Sequence, residues 1–393
     1  MKALTPLAVT ATLIGSMITA TTSPASAALA AQAGPRACAW AVVPSPSRGV
    51  SATLSAVSAT SARDAWAVGS YDTGSSFRTL IEHWNGSAWK VVPSVDPAIG
   101  HHQTSALTGV AAISPSNVWA VGFYEKSTTS FRTLVEHWNG SKWSVVPSPN
   151  ADSGENTLAA VAAVSASDIW AVGYRHGPGA RGGGARKTLV EHWQRGNWRI
   201  VPSPSPGPAH GDGFLFGLAV TSAHRAWAVG TEPSRFSSTL AIRWNGTKWL
   251  TAKTANPGNG DRFLQAVAAP SARVALAVGS DLSGNQTRAL AERWNGTSWS
   301  LVPAASPGGD FNSLQAIAAR NASQAWSVGA RRANQGARFT TLVEHWDGHA
   351  WTAASAPSPG AGDDWLFGAA SVPKSGFWAV GNAGPRTLVE RFC

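Results

Sequence analysis

The chain repeats itself seven times. WAVG stands at Trp66, Trp119, Trp170, Trp227 and Trp378, with LAVG at Leu276 and WSVG at Trp326, at spacings of 49 to 57 residues. This period constrains the fold more than any other feature, because each copy must be one small unit that hides its apolar face against its neighbours. Ahead of each copy lies a run of small apolar residues: LSAVSA from Leu54, LTGVAA from Leu107, LAAVAA from Leu158, LFGLAV from Leu215, LQAVAA from Leu264, LQAIAA from Leu314 and LFGAAS from Leu366. After each comes TLIEHW or a variant, then NGSAWKVVPS or a variant.

Each repeat therefore holds four runs of strand length. The Ala- and Gly-rich first run suits the crowded hub of a wheel, and the Pro of VVPS ends the fourth run at an outer edge, where a lost donor matters least. Asn85-Gly86, Asn139-Gly140, Asn245-Gly246, Asn295-Gly296 and Asp347-Gly348 are expected to form type I′ hairpin turns. Repeat three departs, with Gln194-Arg195-Gly196-Asn197 in a turn of equal length and different shape. Gly/Pro punctuation and the missing 3.6-residue period exclude a helical solenoid, and no capping repeat supports an open β-solenoid. The reading is all-β: a seven-bladed β-propeller of four-stranded antiparallel blades.

The last repeat stops at Phe392-Cys393, while CAWAVVPSPS from Cys38 is a fourth strand without its first three. Aligning Phe392 with Trp84 and Trp40 with Trp89 makes the N-terminal strand complete the last blade. A Cys38–Cys393 disulfide then replaces the hairpin turn. The run from WAVG through HWNGSKW resembles the blades of kelch-type and Asp-box (BNR-like) propellers, in which a Gly-containing turn precedes a Trp. Those turns carry Ser-x-Asp-x-Gly where this chain has Trp-Asn-Gly-Ser, so the resemblance implies fold and repeat and no single activity.

Residues 1–27 read as a secretory signal, with Lys2, an apolar Leu4 to Ala20 and the small-x-small site Ala25-Ser26-Ala27. Residues 28–36 form a short linker and 37–393 one propeller domain, expected to be extracellular and monomeric. The net charge of +10 favours an anionic cell-wall polymer, a glycan or a protein as partner; nucleic acid is not expected, nor is a cofactor or a metal.

What recurs in every repeat is scaffold. Nineteen of the 20 Trp occupy three repeated positions and are read as packing between blades. Glu82, Glu136, Glu191, Glu292, Glu344 and Glu390 recur in the third strand, read as a structural contact with Arg132 or its counterparts four residues earlier. His83, His137, His192 and His345 follow them and take the same reading, as do Tyr71, Tyr124 and Tyr174. The exceptions are candidate contacts. Glu155, Asp212, Asp261, Asp310, Asp363 and Asp364 cluster in the loops before the first strands, where they either ring a channel mouth or cap local turn amides. Trp365 is the Trp outside the pattern. Arg175, His176, Arg181, Arg186 and Lys187 in the third repeat, and Arg331, Arg332 and Arg338 in the sixth, suit anionic groups. His101, His102 and His210 lack any metal-site spacing, and no GxSxG or free Cys marks a nucleophile. The functional reading is a secreted binding module that presents loops of one face to an extracellular polymer or protein. The alternative is a carbohydrate-active enzyme, a glycoside hydrolase or lyase, using Asp212, Asp261, Asp310 or Asp364 at the channel mouth.

Overall fold

The computed structural model describes residues 38–97, 103–127, 130–151, 153–176, 186–206, 212–232, 237–256 and 260–393. The expected signal segment and linker lie outside the described residues. Among those described the chain forms 28 strands and no helix. In repeat one, Ser51–Ser61, Asp64–Asp72, Phe77–Trp84 and Trp89–Val91 pair antiparallel in that order. Five sheets have four strands each, and a sixth has eight. That larger sheet joins the four-stranded sets of repeats five and six through a single parallel pair, Thr287 with Phe311.

The invariant Gly of WAVG has a steric cause. The inner strand bulges between Leu54 and Ala56, which drives the Thr53 carbonyl toward the second strand. A Cβ on Gly69 would lie 2.0 Å from that oxygen, on Gly173 2.0 Å from the Thr157 oxygen, and on Gly381 1.8 Å from that of Trp365. The Ala/Gly bias of the inner strands has the same kind of origin. A Cβ on Gly217 would stand 2.8 Å from the Ala266 Cα, and one on Gly368 2.8 Å from the Ala56 Cα.

Tryptophans carry the packing from one repeat to the next. Trp66 meets Trp138 and Trp143 of repeat two at ring distances of 5.0 and 5.4 Å. Trp119 meets Trp193 and Trp198, Trp170 meets Trp244 and Trp249, and Trp227 meets Trp294 and Trp299. Leu276 takes the Trp role against Trp346 and Trp351. Trp326 then packs on Trp40 and Phe392, and Trp378 returns to Trp84 and Trp89 of repeat one. Such ring pairs are worth about 0.5–1.5 kcal/mol each beyond the area they bury. The packing order is a closed cycle.

The chain ends meet as the alignment requires. Trp40–Val42 pairs antiparallel with Arg386–Phe392, with Trp40 opposite Phe392 as Trp89 is opposite Trp84. Cys38 and Cys393 form a disulfide with Cα atoms 5.4 Å apart across 355 residues of sequence.

The hairpin expectation fails in an instructive way. Gly86, Gly140, Gly246, Gly296 and Gly348 have positive φ, but the Asn or Asp before each does not. The Asn side chain closes the turn instead: Asn85 Oδ1 accepts from the Ser87 and Ala88 backbone amides, each at 3.0 Å, and from the Ser87 hydroxyl at 2.8 Å. A side-chain acceptor that spans two amides removes the need for a left-handed first residue. The I′ pattern occurs where no Asn-Gly exists, at Arg195 (φ 56) and Gly196 (φ 81), between the paired Gln194 and Asn197.

Candidate functional site

Antiparallel pairing gathers the start of each inner strand, the end of the second and the start of the third at one end of the molecule. Glu155 lies opposite His176, and Arg175 opposite Lys187. The sequence candidates meet here, and most are occupied with one another. Glu155 accepts from the Tyr174 hydroxyl at 3.0 Å and the Arg186 Nε at 3.1 Å. Asp212 takes the Arg186 backbone amide at 2.6 Å and faces its guanidinium at 3.5 Å. Burial pushes the Tyr174 phenol up to about 12, and the Glu155 charge adds to the shift. Burial works against the Arg186 cation, yet the hydrogen bond and charge of Glu155, with Asp212 behind, raise its pKa above the usual arginine value.

The same device recurs around the ring. Asp261 accepts the Ser237 amide at 2.6 Å and Asp363 the Phe339 amide at 2.9 Å, each reaching the start of a third strand in the preceding repeat. Asp310 holds Arg332 through two bonds of 3.1 and 3.2 Å. Asp364, fully buried, accepts the Gly360 amide at 3.0 Å and faces Arg338 at 3.5 Å. Asp212, Asp261, Asp363 and Asp364 thus staple neighbouring repeats together, whereas Glu155 and Asp310 hold partners of their own repeat. Trp365 is half-buried in an aromatic group, 4.8 Å from Phe339, 5.6 Å from Phe311 and 5.7 Å from Phe367. Arg332 lies 4.7 Å above Phe339, so the cation, its carboxylate and the aromatic group form one cluster. Arg331, on the adjoining strand position, pairs with Thr340 and Asn312. Arg181, His101, His102 and His210 lie outside the described residues. Among the described residues no group of three or more His, Cys, Asp or Glu is placed to hold a metal ion.

The repeated glutamates behave differently from the expectation. All six are 0 % exposed, and Arg132 does not serve them: its guanidinium donates to the Gly154 and Ser153 carbonyls. Their partners come from the tail of the preceding repeat. The Val95 amide donates to Glu136 at 3.2 Å, Ala255 to Glu292 at 3.0 Å and Ala305 to Glu344 at 3.2 Å. Each donor lies six residues after the outer Trp. At the same place before Glu82, Glu191 and Glu390 stand Pro46, Pro149 and Pro357, which have no N–H to give. The Ser148 hydroxyl substitutes for Glu191 at 2.6 Å, whereas both oxygens of Glu82 and of Glu390 are buried without a protein partner. Burial pushes the carboxyls of Glu82, Glu136, Glu191, Glu344 and Glu390 up to about 8. Glu292, which also accepts from Thr239 at 3.2 Å, reaches only about 7.

At the opposite end the repeated histidines are structural, as expected. His83 bonds Asp64 at 2.8 Å and stacks on Trp66 at 4.2 Å; His192 bonds Asp168 at 2.6 Å and stacks on Trp170 at 3.7 Å. Burial opposes ionisation of Asp64, but hydrogen bonds from His83 and Thr60, with the imidazole's charge, hold it below the ordinary value. A cavity of ≈ 610 Å³ opens at this end of the hub, lined by small residues such as Ser58, Ala112 and Val164. Two more cavities lie between repeats four and five. Sequence reasoning placed its candidates at the other end and missed these.

No protein-family model matches the chain, and no curated protein matches it. Solved structures do. The chain is similar to a structure described as YCF48 bound to D1 peptide, at 13% identity and a TM-score of 0.55, over 90% of this chain and 96% of that one. It is similar also to YCF48 from Cyanidioschyzon merolae, at 13% identity and a TM-score of 0.54, over 90% and 98% of the two chains. At this identity the likeness concerns the fold. Repeated four-stranded antiparallel sheets with this likeness make the chain a β-propeller repeat protein. Among the described residues no helix is long and apolar enough to cross a membrane.

Proposed function

We propose that this chain is an exported, seven-bladed β-propeller that works as a protein-binding module. Seven repeats, six supplying four strands in turn and the last three strands joined by Trp40–Val42, support the blade count, with repeats five and six as two blades bridged by one residue pair. The signal-like residues 1–27 and the disulfide support export, since disulfides persist in oxidising compartments. The repeat pattern is of the kelch-like and BNR-like kind.

The observation that carries the binding reading is the likeness, over 90% of the chain, to a structure whose description includes a bound peptide. A rigid wheel with loops of varied length at its rim suits recognition of an extended segment, because function on such folds lives in loops held by scaffold. Arg331, Arg332 and the half-buried Trp365 are the contacts proposed at the loop end, where Glu155, Asp212, Asp261, Asp310 and Asp364 hold the loops in shape. The same basic loops would meet an anionic polymer or glycan. The rival enzyme reading finds its carboxylates already engaged by amides and guanidinium groups, which leaves them poorly placed as a free acid–base pair. Binding to an array of extended peptides of varied charge, with the disulfide intact, tests the reading. Retention of a peptide subset with micromolar or better affinity supports it; uniform failure to bind any peptide rejects it.

A further inference from the structure

Repeat four departs from a pairing that repeats one and three make. In repeats one and three, the residue opening the second strand and the residue before the third-strand Trp form an acid–imidazole pair, Asp64 with His83 and Asp168 with His192. In repeat four those two positions carry Arg225 and Arg243. The equivalence is fixed by register, since Arg243 lies opposite Trp227 as His83 lies opposite Trp66. Both arginines are exposed, and among the described residues neither guanidinium is paired with a carboxylate. Arg243 lies against aromatic rings, 6.0 Å from that of Trp227 and 5.7 Å from that of Trp294. Two cations thus stand where repeats one and three build a neutralised pair; repeats five and seven have an Arg at the second position alone, Arg293 and Arg391.

They border a cavity of ≈ 330 Å³ that His224 and Arg273 also line. Arg243 and Trp294 are shared with a second cavity of ≈ 640 Å³, which runs along the outer rim of repeat four. One wall of the latter is seven consecutive residues, Leu250 to Asn256, and no Asp or Glu lines either cavity. A low-dielectric groove lined by one sign of charge concentrates ligands of the other sign.

Strand Trp249–Ala252 pairs only with Ser238–Trp244, so its outward edge carries unused backbone groups. The residue four after the outer Trp is Pro44, Pro93, Pro147, Pro202 and Pro303 in five outer strands, Ser355 in repeat six and Lys253 here. Proline there removes an edge donor and blunts the sheet against an added strand. Lys253 keeps the N–H and adds a third cation beside the groove.

We propose that the groove between repeats four and five binds an acidic peptide segment in extended form, added alongside Trp249–Ala252, with its carboxylates on Arg225, Arg243 and Lys253. Strand addition uses backbone hydrogen bonds for affinity and alternate side chains for choice. An acidic polysaccharide offers carboxylates but no amide ladder to match the edge. The inference rests on the protein-binding reading and names both the site and the partner's chemistry.

The test uses the full disulfide-bonded chain and a fluorescein-labelled peptide of alternating Glu and Val, followed by anisotropy at low and moderate salt. The Gln–Val peptide is the neutral control. Two variants copy residues that other repeats already tolerate in the same places: Arg225→Asp with Arg243→His, which installs the pair of repeat one, and Lys253→Pro. Lys253→Gln removes the charge and keeps the amide. The Glu–Val peptide is expected to bind at least about tenfold more tightly than Gln–Val, and the paired substitution to abolish that preference. Lys253→Pro should weaken binding more than Lys253→Gln. Equal affinity of the two peptides, or Glu–Val binding that none of the variants alters, overturns the site. Polygalacturonate binding that needs the arginines, without Glu–Val binding, assigns the groove to a glycan and overturns the proposal too. If the Glu–Val peptide fails while other array peptides bind, the inference falls and the broader reading stands; if no peptide binds at all, both fall.

Discussion

Replacing Pro357 with alanine should give a buried acid the donor it lacks, and its sister repeats set the size of the effect. Glu390 is 0 % exposed, with both oxygens unpartnered, and burial, then the nearby Asp364 charge, pushes it up to about 8. Glu136 and Glu344, each with such an amide donor, also stand at about 8, and Glu292 reaches about 7 only with the Ala255 amide, the Thr239 hydroxyl and the Arg262 charge together. One unit, worth about 1.4 kcal/mol, is therefore the ceiling for what an amide alone can do. The folded pKa of Glu390 stands above its ordinary 4.5, so the folded state binds the proton more tightly than the unfolded one. Its contribution is fully present below 4.5 and is lost as pH rises through 8, with a slope of about 1.4 kcal/mol per pH unit in between. The backbone N–H that alanine restores at this position favours the carboxylate and lowers the folded pKa. Urea unfolding of Pro357→Ala should therefore show a gain over wild type that rises with pH, at most about 1 kcal/mol above about pH 8 and none below about pH 6, on top of a pH-independent offset from the lost proline. Glu390→Gln should remove one proton from the slope. A Pro357→Ala effect of the same size at every pH, or a Glu390→Gln slope equal to wild type, would refute the reasoning.

Three further outcomes follow from the packing. Cys38→Ser opens a loop of 355 residues and should cost up to about 6 kcal/mol in urea unfolding by the loop-entropy relation; a loss below about 1 kcal/mol would speak against closure through that bond. Gly173→Ala places a Cβ 2.0 Å from the Thr157 oxygen and should lower stability by more than about 2 kcal/mol. Gly284→Ala, with open space around it and φ +67, should cost about 1 kcal/mol through backbone strain alone, and equal losses at the two sites would contradict the steric account. Asn139→Ala removes acceptors for the Ser141 and Lys142 amides and should cost about 1 kcal/mol, read from the thermal midpoint.

The wheel is legible because its determinants are periodic. Trp, Gly and the Ala-rich runs recur at fixed offsets, and the unfinished last repeat points to its partner strand. The turn type is not legible in the same way, because Asn-Gly serves two geometries, and only the following Ser or Thr amides show that the Asn side chain closes the loop. The glutamates are recognisable as scaffold, but sequence assigns them the wrong partner. Strand-face reasoning points to Arg132, whereas the donor sits in the tail of the preceding repeat, a contact between sheets that periodicity within one repeat does not reveal. The alternation of Pro with Val or Ala six residues after the outer Trp carries that signal. The groove of repeat four is visible as Arg225, Arg243 and Lys253 occurring together, although Arg293 and Arg391 repeat the second and Ser355 also replaces the proline of the third.

The central claim is that the first strand of the propeller completes its last sheet. Peptide mapping of the folded, oxidised protein without reduction tests it most directly, combined with alkylation of any accessible thiol. A single cross-linked species joining the Cys38 peptide to the Cys393 peptide, with no alkylated cysteine, is the expected result. Both cysteines recovered alkylated from folded, unreduced protein would mean that the two ends are not held together, and the closed cycle described above would be wrong.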